Sequence, residues 1–267
     1  MVKPANLLLA VDISNTGIKF GLYPRGQREL LARWRIATVR EKTVDEYAML
    51  LMDLMRHVGL RADAIEAAIL SSVVPPLTPV FQELARDYLG HPAIVVNHNS
   101  DLGIRLLVDN PWETGADRML SALAAHHLYG GPAIVIQFGT ATSFDCVSAE
   151  GDFLGGAIAP GLGIAAEALE RAASRLYQVE LKPPPHALGT NTTHSMQSGI
   201  VYGHVGLVEG LVARLRAELA GGERARVIAH GGLAEIIARV TTCIDEVNPN
   251  IILDGLRIAY ERLHGAE

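Results

Sequence analysis

Two stretches of the chain share one order of apolar and polar positions. Leu7-Leu8-Leu9-Ala10-Val11-Asp12-Ile13 is an apolar run closed by a single acid, Ser14-Asn15-Thr16-Gly17 is a small polar turn, and Ile18-Lys19-Phe20-Gly21 returns. Farther along, Ala133-Ile134-Val135-Ile136-Gln137-Phe138 leads into Gly139-Thr140-Ala141-Thr142-Ser143 and returns through Phe144-Asp145. Apolar and β-branched residues broken by small polar ones predict, in each case, a buried strand, a tight turn and a returning strand. Two such hairpins about half a chain apart predict a duplicated domain. Glycine and hydroxyl residues in both turns let backbone N–H groups approach an anion, although similar turns also join ordinary hairpins.

Residues 29–37 supply a third strand to the first hairpin. Thr43 with Glu46 is a capping box that opens a helix of about four turns, ending before Gly59, with Met49, Met52 and Met55 read as core. Residues 67–76 read as a buried strand ending in a polar turn, 77–89 as a helix, 92–96 as a strand and 103–108 as a short strand stopped by Asn110-Pro111. A helix runs from Gly115 to about His127, with Asp117 in its first turn. Residues 151–159 complete a meander after the second hairpin, Pro160-Gly161 leads into a helix, and the proline-rich stretch 182–191 is extended. The long helix that follows carries Gly199, Gly203, Gly206 and Gly210 on one stripe. Each glycine costs about 1 kcal/mol against alanine, so the stripe implies close approach of another backbone, within the chain or across a dimer seam. Residues 226–232 form a strand running into a diglycine, where a flat base can rest on the backbone, and 250–263 a closing helix. Strands alternating with helices place the chain in the α/β class.

At 267 residues with 49% hydrophobic and 19% charged positions, the chain is long enough for two domains and is neither disordered nor fibrous. A formal charge of −6 argues against general binding to nucleic acid or anionic membranes. The two cysteines, Cys146 and Cys243, have no metal-ligand spacing and read as reduced thiols. The apolar run 7–11 is too short for a signal sequence, and no segment approaches the ~20 apolar residues of a membrane span. The expected location is the cytoplasm.

Several ordered motifs resemble the type III pantothenate kinases, relatives of actin, heat-shock chaperones and sugar kinases. They are Asp12-Ile13-Ser14-Asn15-Thr16, Ser71-Ser72-Val73-Val74-Pro75, Asn110-Pro111 with Gly115-Ala116-Asp117-Arg118, Phe138-Gly139-Thr140-Ala141-Thr142, Gly155-Gly156 with Pro160-Gly161, Gly189 with Asn191-Thr192, and Gly231-Gly232. The resemblance covers nearly the whole chain. It implies two ribonuclease H-like domains, residues 1–114 and 115–267, with mixed sheets flanked by helices and a nucleotide cleft between them, the second domain carrying a homodimer interface. It implies transfer of the γ-phosphoryl group of ATP to the hydroxyl of pantothenate, the first step toward coenzyme A.

In that reading Asp12 orients Mg²⁺, while Ser14, Asn15, Thr16, Lys19, Gly139, Thr140, Ala141 and Thr142 serve the phosphates and Gly231 and Gly232 the adenine. Asp117 is the general base. Arg118, with Val108, Gly115 and Ala116, lines the pantothenate pocket, and Thr192 reaches the pocket of the neighbouring subunit. The chain departs from the family pattern at Ser14 (Gly in the family), Gln137 (an Asp associated with K⁺ or NH₄⁺), Val108 (often Tyr) and His230 (Thr). The alternative reading is a catalytically silent nucleotide-binding relative with a regulatory or scaffold role, favoured by Ser14 and Gln137.

Overall fold

The computed structural model describes residues 6–264. The chain groups into two compact units. One takes in the chain up to Gly103, Asn110–Ala124 and the chain from Ile252 on; the other takes in Ile104–Asp109 and Ala125–Ile251. The first unit therefore takes in the start of one helix and nearly all of the closing helix.

The sheet of the first unit contains β1 (Leu7–Ile13), β2 (Gly17–Pro24), β3 (Ala32–Ala37), β4 (Ile65–Ser72) and β5 (Ala93–Val95), in the order β3-β2-β1-β4-β5. β1 is antiparallel to β2 and parallel to β4, and β4 is parallel to β5. Alternation along β1 and β2 sends Leu9, Val11, Ile13, Ile18, Phe20 and Leu22 to one face. There they pack with Tyr47, Leu51 and Met55 of α1 (Val44–His57) and with Leu77 and Phe81 of α2 (Leu77–Leu84). Burying each of these large side chains stabilises the fold by about 1.5–3 kcal/mol. Thr43 and Glu46 cap α1 reciprocally, as the sequence predicts. The opposite face meets α7 (Ile251–His264), where the Tyr23 hydroxyl donates to Asp254 at 2.9 Å.

The second unit repeats the plan. β6 (Ala133–Phe138), β7 (Ala141–Val147), β8 (Phe153–Pro160), β9 (Arg226–Gly231) and β10 (Glu246–Val247) run in the order β8-β7-β6-β9-β10, with the same parallel and antiparallel senses as their counterparts. Strand for strand, β6 to β10 reproduce β1 to β5. The expected duplication is thus present in the topology. Ile134, Ile136, Phe138 and Phe144 pack with Met196, Ile200, Val201 and Val208 of α5 (Thr192–Glu218), beside α4 (Leu162–Ala172) and α6 (Ala234–Ala238). The helix α3 (Ala116–Tyr129) starts in the first unit and ends in the second.

Three local readings change. Residues 103–108 form no strand, only an isolated bridge between Leu106 and Phe153, and the segment is held instead by paired hydrogen bonds from the Arg105 guanidinium to Asp152. Met49 is 48% exposed, so only Met55 of the three methionines on α1 is fully buried. The helix expected over 77–89 keeps α-helical bonding to Leu84 and widens into a π turn over Ala85–Leu89 before Gly90 reverses the chain with φ +82°.

Candidate active site

In the first unit the site is built at the end of β1. Asp12 is only 1% exposed. It accepts hydrogen bonds from the Ser14 hydroxyl at 3.3 Å and the Ser71 hydroxyl at 3.5 Å, and Lys19 Nζ stands 4.0 Å away. The strands explain this cluster, since Asp12 lies opposite Lys19 on β2 and Ser71 on β4. Burial pushes the Asp12 carboxyl up to about 6. Lys19 opposes the rise, the negative charge of Asp117 adds to it, and the two hydroxyls oppose it.

The turn that follows is closed by the Ser14 N–H donating to the Gly17 carbonyl at 3.1 Å and is tied down by the Thr38 hydroxyl donating to the Ser14 carbonyl at 2.6 Å. Asn15 and Thr16 at its tip are exposed. Ala116 is buried at the start of α3, while Asp117 and Arg118 are half-buried in its first turn. A Cβ on Gly115 would stand 2.5 Å from Asp117 Oδ1, so the carboxylate folds back over the helix start because Gly115 leaves room. The Asp12 carboxylate suits a hard divalent cation that takes one or two carboxylates and completes its shell with water and phosphate, as Mg²⁺ does. Among the described residues no group of three or more His, Cys, Asp or Glu gathers to hold a metal.

In the second unit Gln137 occupies on β6 the position of Asp12 on β1. It lies opposite Ser143 on β7 and His230 on β9, a row without the acid and the lysine of the first sheet. In the turn over 139–141, two of the residues expected to serve phosphates have partners within the chain. The Gly139 N–H donates to the Ala141 carbonyl at 3.0 Å, and the Thr142 hydroxyl, fully buried, lies 3.0 Å from His204 Nε2 of α5. Thr140 and Ala141 are the exposed tip. Burial lowers the pKa of His204 and keeps the imidazole neutral at pH 7. This support was not legible beforehand, because the two residues stand 62 positions apart with no local pattern linking them.

Gly231 closes β9 with φ +101°, and a Cβ there would stand 2.3 Å from the Phe138 carbonyl oxygen. Around Gly232 no described residue lies within 4 Å of the corresponding position, which leaves an open backbone surface. Val108 is half-buried, with its Cγ1 3.4 Å from where a Cβ of Gly155 would stand. Thr192 is exposed at the start of α5, whose N-cap Asn191 accepts from the His194 N–H at 2.9 Å.

One sheet order used twice, with a carboxylate at the end of the first strand and a short polar turn after it, defines the actin-like ATPase fold. A Campylobacter jejuni protein described as a Baf family transcriptional activator superposes with a TM-score of 0.60 at 15% identity, covering 96% of this chain and 99% of that one. MreB 5 of Spiroplasma citri, solved bound to AMPPNP, gives 0.55 at 10% identity, covering 98% of each chain. The chain belongs to the type III pantothenate kinase family, whose model matches residues 8–214. The type III pantothenate kinase of Roseiflexus castenholzii is 51% identical over 255 residues, covering 96% of this chain and 98% of that protein. The one of Moorella thermoacetica is 47% identical over 256 residues, covering 96% and 99%.

Proposed function

We propose that the protein phosphorylates pantothenate with ATP to give 4′-phosphopantothenate, the entry step of coenzyme A biosynthesis. The observation that carries this reading is the pairing of two carboxylates of different standing in a chain of this family. Asp12 is buried and held by two hydroxyls and Lys19, and Asp117 is half-buried and folded over Gly115 at a helix start. Asp12 would hold Mg²⁺, which would supply neutralisation of phosphate charge when bound. Asp117 accepts the proton of the pantothenate hydroxyl as its oxygen forms the new P–O bond and ADP leaves with the electrons of the old one. Arg118 suits the pantothenate carboxylate, and Gly115, Ala116 and Val108 serve the same substrate. Residues 14–16 and Lys19 serve phosphates in the first unit, and Thr140 and Ala141 in the second. Gly139 and Thr142 shape that second turn, Gly231 sets the end of β9, and Gly232 offers its open surface to adenine.

The same reading carries four further parts. In chain order the duplicated halves divide into residues 1–114 and 115–267, with the start of α3 and most of α7 lent to the first compact unit. Gln137 would hold a monovalent cation, K⁺ or NH₄⁺, offering its neutral amide oxygen. The active form is a homodimer in which Thr192 reaches the partner's pantothenate. The enzyme works in the cytoplasm, apart from membranes and nucleic acid; no helix among the described residues is long and apolar enough to cross a membrane.

The test combines purified protein, ATP, Mg²⁺, K⁺ and pantothenate with detection of phosphopantothenate by mass spectrometry. Product formation is expected. Asp117→Asn should keep the fold and nucleotide binding while losing roughly 10²-fold or more in turnover. Nucleotide binding with no product would instead support a regulatory or scaffold protein, and near-normal turnover of the variant would remove Asp117 from the mechanism.

A further inference from the structure

Opposite Lys19, on β3, stands Arg35. Residues in register across a sheet point to the same face, so Arg35, Lys19, Asp12 and Ser71 form one row over four strands. Two cations therefore stand side by side against one buried carboxylate. Lys19 is the one paired with it, at 4.0 Å, whereas Arg35 has no hydrogen bond or ion pair with the described residues. Like charges directly opposite each other destabilise a sheet, so the bare fold gains nothing from this arrangement.

The Arg35 guanidinium also has a defined seat. A Cβ on Gly17 would stand 2.6 Å from its Nε, 3.1 Å from Nη2 and 3.2 Å from Cζ, so the group lies against the Cα of the residue that closes the first polar turn. Arg40 adds a third positive charge at this turn, with Nη2 3.5 Å from Asn15 Oδ1. Three cations converge on a turn whose tip is exposed, and the group with five unused donors lies flat beside it. What completes such an arrangement is a multiply charged anion with several acceptor oxygens.

We propose that Arg35 is a phosphate-contacting residue of the nucleotide site, its guanidinium donating to phosphate oxygens of ATP at the turn over residues 14–17. The proposal rests on the function assigned above to that turn. Calorimetry with a non-hydrolysable ATP analogue and Mg²⁺, with adenosine in parallel, tests it on Arg35→Met, Arg35→Lys and Gly17→Ala. Arg35→Met should weaken the analogue about tenfold or more, as loss of a charge-assisted hydrogen bond requires, and leave adenosine unchanged. Its ligand-free Tm should hold or rise, because a like-charge pair is gone. Arg35→Lys should recover part of the affinity, keeping the charge without the fork. Gly17→Ala should push the guanidinium from its seat and weaken the analogue alone.

An unchanged analogue affinity in Arg35→Met would overturn the proposal. So would an equal loss for adenosine together with a lower Tm, which marks a structural role. Wild-type protein that binds the analogue but does not phosphorylate pantothenate removes the proposed function and leaves Arg35 standing. Wild type that makes phosphopantothenate while Arg35→Met binds normally removes Arg35 alone, and wild type that binds no analogue removes both.

Discussion

Asp12 shows how burial and charge compete at a single residue. Its carboxyl is held at about 6 against an ordinary 3.8, with burial outweighing Lys19 and the two hydroxyls. The folded chain therefore binds this proton more tightly than the unfolded chain, and the stability it contributes is full below about pH 4 and is lost as pH rises through about 6. A shift of about two units corresponds to at most about 3 kcal/mol. Denaturant midpoints of ligand-free wild type, compared with Asp12→Asn, should fall by that order between pH 4 and 6.5; a flat difference would mean that Asp12 ionises normally in the fold. At the matching position of the second sheet, Gln137 carries no charge to titrate. Its amide oxygen is a neutral ligand, which attracts a monovalent cation less than a carboxylate does. Activity should accordingly need high K⁺ or NH₄⁺, and Gln137→Asp should lower the K⁺ concentration for half-maximal rate. Superimposable K⁺ titrations at fixed ionic strength would show that position 137 does not govern cation use.

Among the elements, those whose partners are local were legible and those held by distant side chains were not. The capping box at Thr43 and Glu46 announced α1, and the two apolar hairpins announced β1 with β2 and β6 with β7, because each signal lies within a few residues of what it specifies. Residues 103–108 read as a strand from their apolar content alone. Their backbone is placed instead by Arg105 on Asp152, 47 residues away, a contact with no trace in local periodicity. Likewise Asp12, Asp117 and the polar turns stood out as chemistry. The seating of Arg35 on Gly17 and of His204 under Thr142 depends on which strands and helices lie side by side. The second of these contacts gives a test of how α5 supports its turn. His204→Leu leaves the buried Thr142 hydroxyl unmatched and should destabilise the protein by about 1–3 kcal/mol. His204→Gln, whose amide nitrogen reaches a similar point, should recover most of it. Equal denaturant midpoints for wild type and His204→Leu would show that the contact contributes nothing.

For the whole molecule, the repeated sheet order gives each half its own core, yet one feature of the second half is left uncovered among the described residues. α5 has glycines at positions 199, 203 and 206, and among the described residues nothing lies within 4 Å of a Cβ built on any of them. The sequence left open whether this stripe met its own chain or a second copy, and among the described residues no element of the chain covers it. At about 1 kcal/mol per glycine the stripe is costly for an exposed helix face, and a partner helix approaching closely is what offsets that cost. The proposed homodimer supplies one, and it places Thr192, at the start of the same helix, where a second subunit reaches it. Sedimentation at micromolar concentration should then show a dimer. A Cβ at position 203 meets nothing within 4 Å among the described residues and leucine raises helix propensity, so Gly203→Leu should keep the secondary structure and thermal transition of a folded chain while shifting the protein toward monomer. Its phosphorylation of pantothenate should fall with dimer content and recover as protein concentration rises. A Gly203→Leu protein that sediments as the wild type does would put the seam elsewhere on the surface, and a fully active monomer would refute the shared pocket.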